Sequence, residues 1–158
     1  MIAYIDSSVL ARAYLEDEPG HQDALALLED PHIGLITGGW TRLEVSGAIV
    51  RAARGRQADR DGLLELLDGD LAEGGRVTVV HADQDEVEIR ALALVREHGI
   101  RAMDAWHLSV AALVLPALLE PGEQAGFASR DAAQSAVATS LGLITDVTKH
   151  AAGRRTDR

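Results

Sequence analysis

Four carboxylates of this chain each lie where a predicted strand or loop gives way to a helix: Asp6, Glu44, Asp104 and Asp131. In an open parallel sheet, sites form outside the carboxyl ends of the strands, so these side chains can converge. Acids that share one pocket repel one another unless their pKa values rise or a cation lies among them. Oxygen ligands in a chain without cysteine favour Mg²⁺ or Mn²⁺.

Such a site has a characteristic use in phosphodiester chemistry. Divalent cations turn a bound water into a nucleophile and stabilise the charge on the attacked phosphate and the leaving oxygen. The hydroxyl groups of Ser8 and Ser129 could orient a carboxylate or that water. Acids rather than a side-chain nucleophile would then carry the reaction.

Each of these residue types also has a structural explanation. An acid at such a junction can cap a helix or gain from the helix dipole, and Ser7 and Ser8 can act as caps. His107 lies one turn beyond Asp104, and we interpret it as a packed or hydrogen-bonded histidine rather than a general base. Arg51 either pairs with an active-site carboxylate, contacts a phosphodiester substrate or is solvated.

The elements that must position the acids alternate along the chain. Short apolar or β-branched runs predict strands, and longer periodic segments between them predict helices. The predicted strands cover residues 2–5, 33–37, 77–80, 124–129 and 143–145. Because strands joined through helices form right-handed crossovers, this pattern predicts an α/β domain with a mainly parallel sheet of four to five strands.

Two of the predicted helices leave a question open. The leucine-rich segment 59–72 could face either the core or another subunit. The apolar helix that Asp104 opens should end or kink at Pro116, because proline cannot donate a backbone hydrogen bond.

The length of 158 residues predicts one domain, which we assign to residues 1–148. Residues 149–158 are rich in Arg and lack periodic apolar positions, so we expect a flexible basic tail. The absence of cysteine excludes disulfide frameworks, thiolate zinc sites and cysteine nucleophiles. No segment is apolar over a bilayer's thickness and Met1 leads directly into a strand, so we expect a cytoplasmic protein with no membrane partner.

The formal net charge of −10 argues against a protein that holds nucleic acid by bulk electrostatics. It does not exclude an enzyme that acts on nucleic acid, because cations bound by the carboxylates reverse the local field where a phosphate would lie. The excess of acid also suits a basic protein partner.

Four stretches resemble the acidic motifs of PIN-domain ribonucleases, and their size and spacing are similar to those of VapC toxins of VapBC toxin–antitoxin systems. They are residues 4–10 (Tyr-Ile-Asp-Ser-Ser-Val-Leu), 41–45 (Thr-Arg-Leu-Glu-Val) followed by Arg51, 102–108 (Ala-Met-Asp-Ala-Trp-His-Leu) and 128–131 (Ala-Ser-Arg-Asp). The resemblance covers nearly the whole chain, roughly residues 1–145.

The resemblance implies a PIN-like three-layer α/β/α fold and Mg²⁺- or Mn²⁺-dependent endonucleolytic cleavage of RNA. It implies a catalytic metal site formed by Asp6, Glu44, Asp104 and Asp131. It also implies the toxin of a type II system, a homodimer that a small VapB-like antitoxin inhibits in a heterotetramer or larger complex.

Two other functions compete with this one. Aspartate-nucleophile phosphatases also place an Asp after the first strand, but they need a second acid two residues on, where this chain has Ser8. The non-enzymatic alternative is a dimeric binding module whose acidic groove grips a basic peptide or antitoxin.

Overall fold

The computed structural model describes residues 1–54, 57–149 and 151. Its strands are β1 (Ile2–Ile5), β2 (Gly34–Gly38), β3 (Val77–Val80) and β4 (Ala125–Ala128). Its helices are α1 (Ser7–Tyr14), α2 (His21–Leu28), α3 (Trp40–Ala52), α4 (Gln57–Asp70), α5 (Gln84–His98), α6 (Ala102–Leu118) and α7 (Ala132–Ser140). No described helix is long and apolar enough to cross a membrane.

The four strands form one sheet in the order β3-β2-β1-β4, and every pairing is parallel. Successive residues of a strand point to opposite faces, and β1 shows this directly. Ala3 and Ile5 pack into a core with helices α1 to α4, whereas Tyr4 packs into a second core with α5 to α7. The predicted three-layer α/β/α arrangement with a parallel sheet of four to five strands is therefore confirmed.

The order of the strands in the sheet differs from their order in the chain, and the change of direction occurs at β1. After β1 the chain adds β2 and β3 on one side, and β4 then pairs with the other side of β1. The carboxyl ends of β1 and β4 therefore flank the topological switch point, where open α/β sheets bind ligands. Asp6 follows β1 at this point, beside the end of β4.

Three local expectations need refinement. Residues 143–145 do not form a strand: Ile144 makes a single parallel bridge to Gly126, because the segment is too short between the turn at Gly142 and the helical residues 147–149. Helix α6 runs through Pro116, which lies in its last turn. Leu67 of α4 and Leu71, the residue after it, are buried in the core, whereas Leu66 is exposed.

The expected basic tail falls mostly outside the described residues, since 150 and 152–158 are not among them. Lys149 is exposed, whereas Ala151 is buried in the core formed with α1 to α4.

Candidate functional site

Asp6 directly follows β1 and caps α1. Its Oδ1 atom accepts hydrogen bonds from the backbone amide of Val9 at 3.1 Å and from the hydroxyl of Ser8 at 2.7 Å. The residue is only 3% exposed, and burial raises the pKa of its carboxyl group although these hydrogen bonds oppose the change. Within the described part of the chain, no Lys or Arg side chain forms an ion pair with Asp6.

Asp131 is brought next to this strand end by the pairing of β1 with β4. The backbone amide of Asp6 donates to the carbonyl oxygen of Ala128 at 3.0 Å, and the backbone amide of Arg130 donates to the Ser8 hydroxyl at 3.0 Å. Asp131 then caps α7, where its Oδ1 accepts from the amide of Gln134 at 2.9 Å. That hydrogen bond and the nearby Arg101 guanidinium hold the pKa of Asp131 below its ordinary value.

Asp104 lies in the first turn of α6 and is joined to Asp131 by a single guanidinium group. Arg101 Nε donates to Asp104 Oδ2 at 2.8 Å, and a terminal guanidinium nitrogen donates to Asp131 Oδ2 at 2.7 Å. The buried side-chain amide of Gln134 also makes two hydrogen bonds. Its Nε2 donates to the backbone carbonyl of Asp104 at 3.1 Å, and its Oε1 accepts from the Ser129 hydroxyl at 2.5 Å. These contacts link the ends of α6 and β4 to the first turn of α7.

Glu44 approaches from α3 and is held by His107. His107 Nε2 lies 2.7 Å from Glu44 Oε2, and His107 Nδ1 lies 2.8 Å from the Tyr4 hydroxyl. Partial burial acts to raise the pKa of Glu44, but the hydrogen bond and charge of His107 outweigh it, and the pKa falls below its ordinary value. His107 is 2% exposed with a partner at each ring nitrogen, in agreement with its interpretation as a packed, hydrogen-bonded residue.

The Tyr4 hydroxyl is the partner of His107 Nδ1. It accepts a hydrogen bond from the Gly38 amide at 2.9 Å, so its own hydrogen can be donated to His107 Nδ1. Because a carboxylate oxygen only accepts, His107 Nε2 is the donor in its hydrogen bond to Glu44. Only glycine allows this approach, because a Cβ at position 38 would lie 2.8 Å from the hydroxyl and 2.7 Å from the Trp106 ring.

Arg51 lies beside the acids rather than among them. It lines a cavity of about 480 Å³ together with Ser7, Ser8 and Glu44. Ser8 lines this cavity and its hydroxyl donates a hydrogen bond to Asp6, so the cavity opens next to Asp6. A bound chain could therefore reach Arg51 and the acids at the same time.

The four predicted acids are thus arranged around one switch point, but they are not a finished metal site. Within residues 1–54, 57–149 and 151, no three His, Asp or Glu side chains are grouped closely enough to hold a metal ion. Arg101 engages Asp104 and Asp131, and His107 engages Glu44.

The donor set itself fits a hard divalent cation. All four predicted ligands are carboxylates, and one of them, Asp6, is buried without a Lys or Arg partner among the described side chains, although the charge of His107 acts on it. Buried carboxylates are costly unless a cation or hydrogen bonds compensate them. Binding would require Arg101 to release its two carboxylates.

Sequence reasoning missed Arg101 entirely. Its position three residues before Asp104 is a usable signal, because residues at that spacing lie on one face of a helix. Its contact with Asp131, 30 residues away, has no such signal.

Comparison with known proteins adds a family and a fold. A protein-family model described as "PIN domain" matches residues 3–119, a range that includes Asp6, Glu44 and Asp104 but not Asp131. Among solved structures, VapBC-1 from nontypeable Haemophilus influenzae is similar, with a TM-score of 0.57 and 18% identity over 94% of this chain and 99% of that chain. No curated protein sequence matches this chain.

Proposed function

Because the chain belongs to the PIN domain family, we propose that it is a metal-dependent endoribonuclease and the toxin of a type II toxin–antitoxin system. The observation that carries the proposal is the buried carboxylate of Asp6 at the switch point, with Asp104, Asp131 and Glu44 around it. The hydrogen bonds of Asp6 and the charge of His107 do not offset its burial, because the pKa of its carboxyl group is still raised.

Asp6, Glu44, Asp104 and Asp131 would hold Mg²⁺ or Mn²⁺, which when bound supplies Lewis acidity toward an RNA phosphodiester. The protein's own contribution is to orient these ligands. Ser8 and the Val9 amide fix Asp6. His107, itself held by Tyr4, fixes Glu44, and outer partners of this kind set both the orientation and the basicity of a ligand.

The reaction is hydrolysis by in-line attack of water on the scissile phosphate. Because the chain carries a formal net charge of −10, RNA would be attracted only where a bound cation reverses the local field. Arg51, on the wall of the adjoining cavity, is suited to contact a neighbouring phosphate.

The partners follow from the same proposal. RNA is the substrate, and a VapB-like antitoxin is the inhibitor, in the cytoplasm where both would be found. VapBC-1, the similar structure, bears the name of such a pair. Exposed apolar side chains on α3 and α5 support a homodimer, which the antitoxin would convert to a heterotetramer or larger complex: Trp40, Leu43, Val50, Ile89 and Leu92.

One observation favours a second function, a non-catalytic acidic module that binds a basic peptide. A guanidinium group already bridges two of the acids, so an arginine of a partner would fit the same oxygens. Calorimetry with Mn²⁺ separates the two functions, since a peptide-binding module has no need of a divalent cation.

The proposed activity is tested by Asp6→Asn, which keeps the hydrogen-bond acceptor for Ser8 and Val9 but removes the charge. We expect Mn²⁺-dependent cleavage of RNA to fall by about a thousandfold, because a catalytic metal supplies several kcal/mol and each 1.36 kcal/mol is tenfold in rate. Asp85→Asn, an exposed acid on α5, is the matched control and should cleave normally. Full activity in Asp6→Asn would overturn the proposal.

A further inference from the structure

We propose that Arg101 is a built-in competitor for the divalent cation, whose guanidinium occupies the oxygens of Asp104 and Asp131 and must leave them before the metal binds. This inference rests on the proposed function, since it concerns the same acids. It adds a residue that weakens metal binding and thereby sets the cation concentration at which the protein is loaded.

The geometry supports a competing role because Arg101 engages one oxygen from each acid. Its Nε donates to Asp104 Oδ2 at 2.8 Å and its terminal nitrogen donates to Asp131 Oδ2 at 2.7 Å. The two acids lie at the N-terminal ends of α6 and α7, so one guanidinium occupies oxygens from two of the residues that would hold the cation. The same oxygen atoms cannot serve both at once.

The exposure of Arg101 makes the contact reversible. Its side chain is 75% exposed, whereas those of Asp104 and Asp131 are 16% and 30% exposed. An exposed ion pair is a weak contact in water, and the long side chain can rotate into solvent without disturbing the core. A divalent cation brings twice the charge to the same carboxylates, so it would displace the guanidinium.

No structural need explains the bridge. Asp131 already has a helix-capping role through the Gln134 amide, and α6 and α7 are already joined by the bond from Gln134 to the Asp104 carbonyl. By contrast, the guanidinium lies on the side-chain oxygens that the proposed site uses.

Isothermal titration calorimetry of the whole protein with MnCl₂ tests the inference without any measurement of activity. Arg101→Gln should bind Mn²⁺ about fivefold more tightly than the wild type, as expected for the loss of exposed ion pairs. Arg90→Gln removes the same charge from the exposed face of α5 and should bind like the wild type. Arg101→Lys keeps the charge but lacks the fork and should lie between them.

A second readout follows the guanidinium itself. In nitrogen-15 NMR spectra, the Nε–H signal of Arg101 is identified by its absence from Arg101→Gln. In the wild type this signal should shift when Mg²⁺ is added. Melting temperatures without metal should show that Arg101→Gln folds.

Equal or weaker Mn²⁺ binding by Arg101→Gln, with binding by the wild type intact, would overturn this inference and leave the proposed function standing. An Nε–H signal that does not move at saturating Mg²⁺ would do the same. Failure of every variant and of the wild type to bind Mn²⁺ would overturn the inference together with the proposed metal site. Binding by Arg101→Gln alone would support it strongly.

Discussion

Two buried aspartates of this protein have opposite surroundings. Asp70, 7% exposed at the end of α4, receives both arms of the Arg76 guanidinium at 2.5 and 2.6 Å and the Tyr14 hydroxyl at 2.7 Å. Asp6, 3% exposed at the end of β1, receives one hydroxyl and one amide, and no described Lys or Arg pairs with it.

The difference distinguishes an acid whose charge is paired within the fold from the acid that we propose as a metal ligand. The charge of Asp70 is neutralised within the protein. Its partners are Tyr14 on α1 and Arg76 just before β3, so Asp70 links the end of α4 to both. No described Lys or Arg pairs with Asp6, and burial raises its pKa although its hydrogen bonds and the charge of His107 oppose the increase. Removal of a partner should therefore damage stability at the first site, and addition of a cation should improve it at the second.

The largest expected change in stability comes from Arg76→Ala, which leaves Asp70 buried with the Tyr14 hydroxyl as its one remaining side-chain partner among the described residues. We expect a loss of about 3 kcal/mol in the free energy of unfolding, near the lower end for a broken buried pair because Arg76 is partly exposed. Urea denaturation measures it. Arg42→Ala breaks an exposed pair with Asp68 and should cost about 1 kcal/mol or less. Equal losses in the two variants would contradict the structural role of Asp70.

The next effect is stabilisation by metal. At a Mn²⁺ concentration of 100 times Kd, the wild type should gain about 2.7 kcal/mol by mass action on the folded state. Arg76→Ala should gain the same amount from its lower starting point, whereas Asp6→Asn should gain little. Melting temperatures with and without Mn²⁺ give the comparison. An unchanged melting temperature of the wild type at millimolar Mn²⁺ would count against the site.

The smallest effect is a pH dependence of the metal-free protein. Because burial raises the pKa of Asp6 above its unfolded value, the folded state keeps this proton longer than the unfolded state as pH rises. The associated stability is fully present below the unfolded pKa and is lost as pH rises through the folded pKa. In EDTA, the melting temperature of Asp6→Asn relative to the wild type should therefore rise from acid to neutral pH. A difference that stays constant over this pH range would contradict it.

Much of this arrangement could be predicted from the sequence because it depends on local patterns. Short apolar runs gave four strands within one or two residues, and alternation with helices gave the parallel sheet. Asp6 was recognisable because a carboxylate directly after a buried strand has few structural uses. Its role and those of Glu44, Asp104 and Asp131 as metal ligands remain predictions.

The rest depends on contacts between distant parts of the chain, which no local pattern encodes. Tyr4 reaches His107 over 103 residues, and Tyr14 reaches Asp70 over 56. Residues 143–145 form a single bridge to Gly126 instead of the predicted strand. Too few residues lie between the preceding turn and the following helix for longer pairing, whatever their β-propensity.

The position of β1 inside the sheet has a consequence for synthesis on the ribosome. Strand β1 pairs on one side with β4, which is translated much later, and the Ser8 hydroxyl accepts from the amide of Arg130 across 122 residues. A nascent chain can pair β1 with β2 early, but it lacks Asp131 until β4 has also been translated. The proposed nuclease site would therefore stay incomplete while this part of its own message is still being translated.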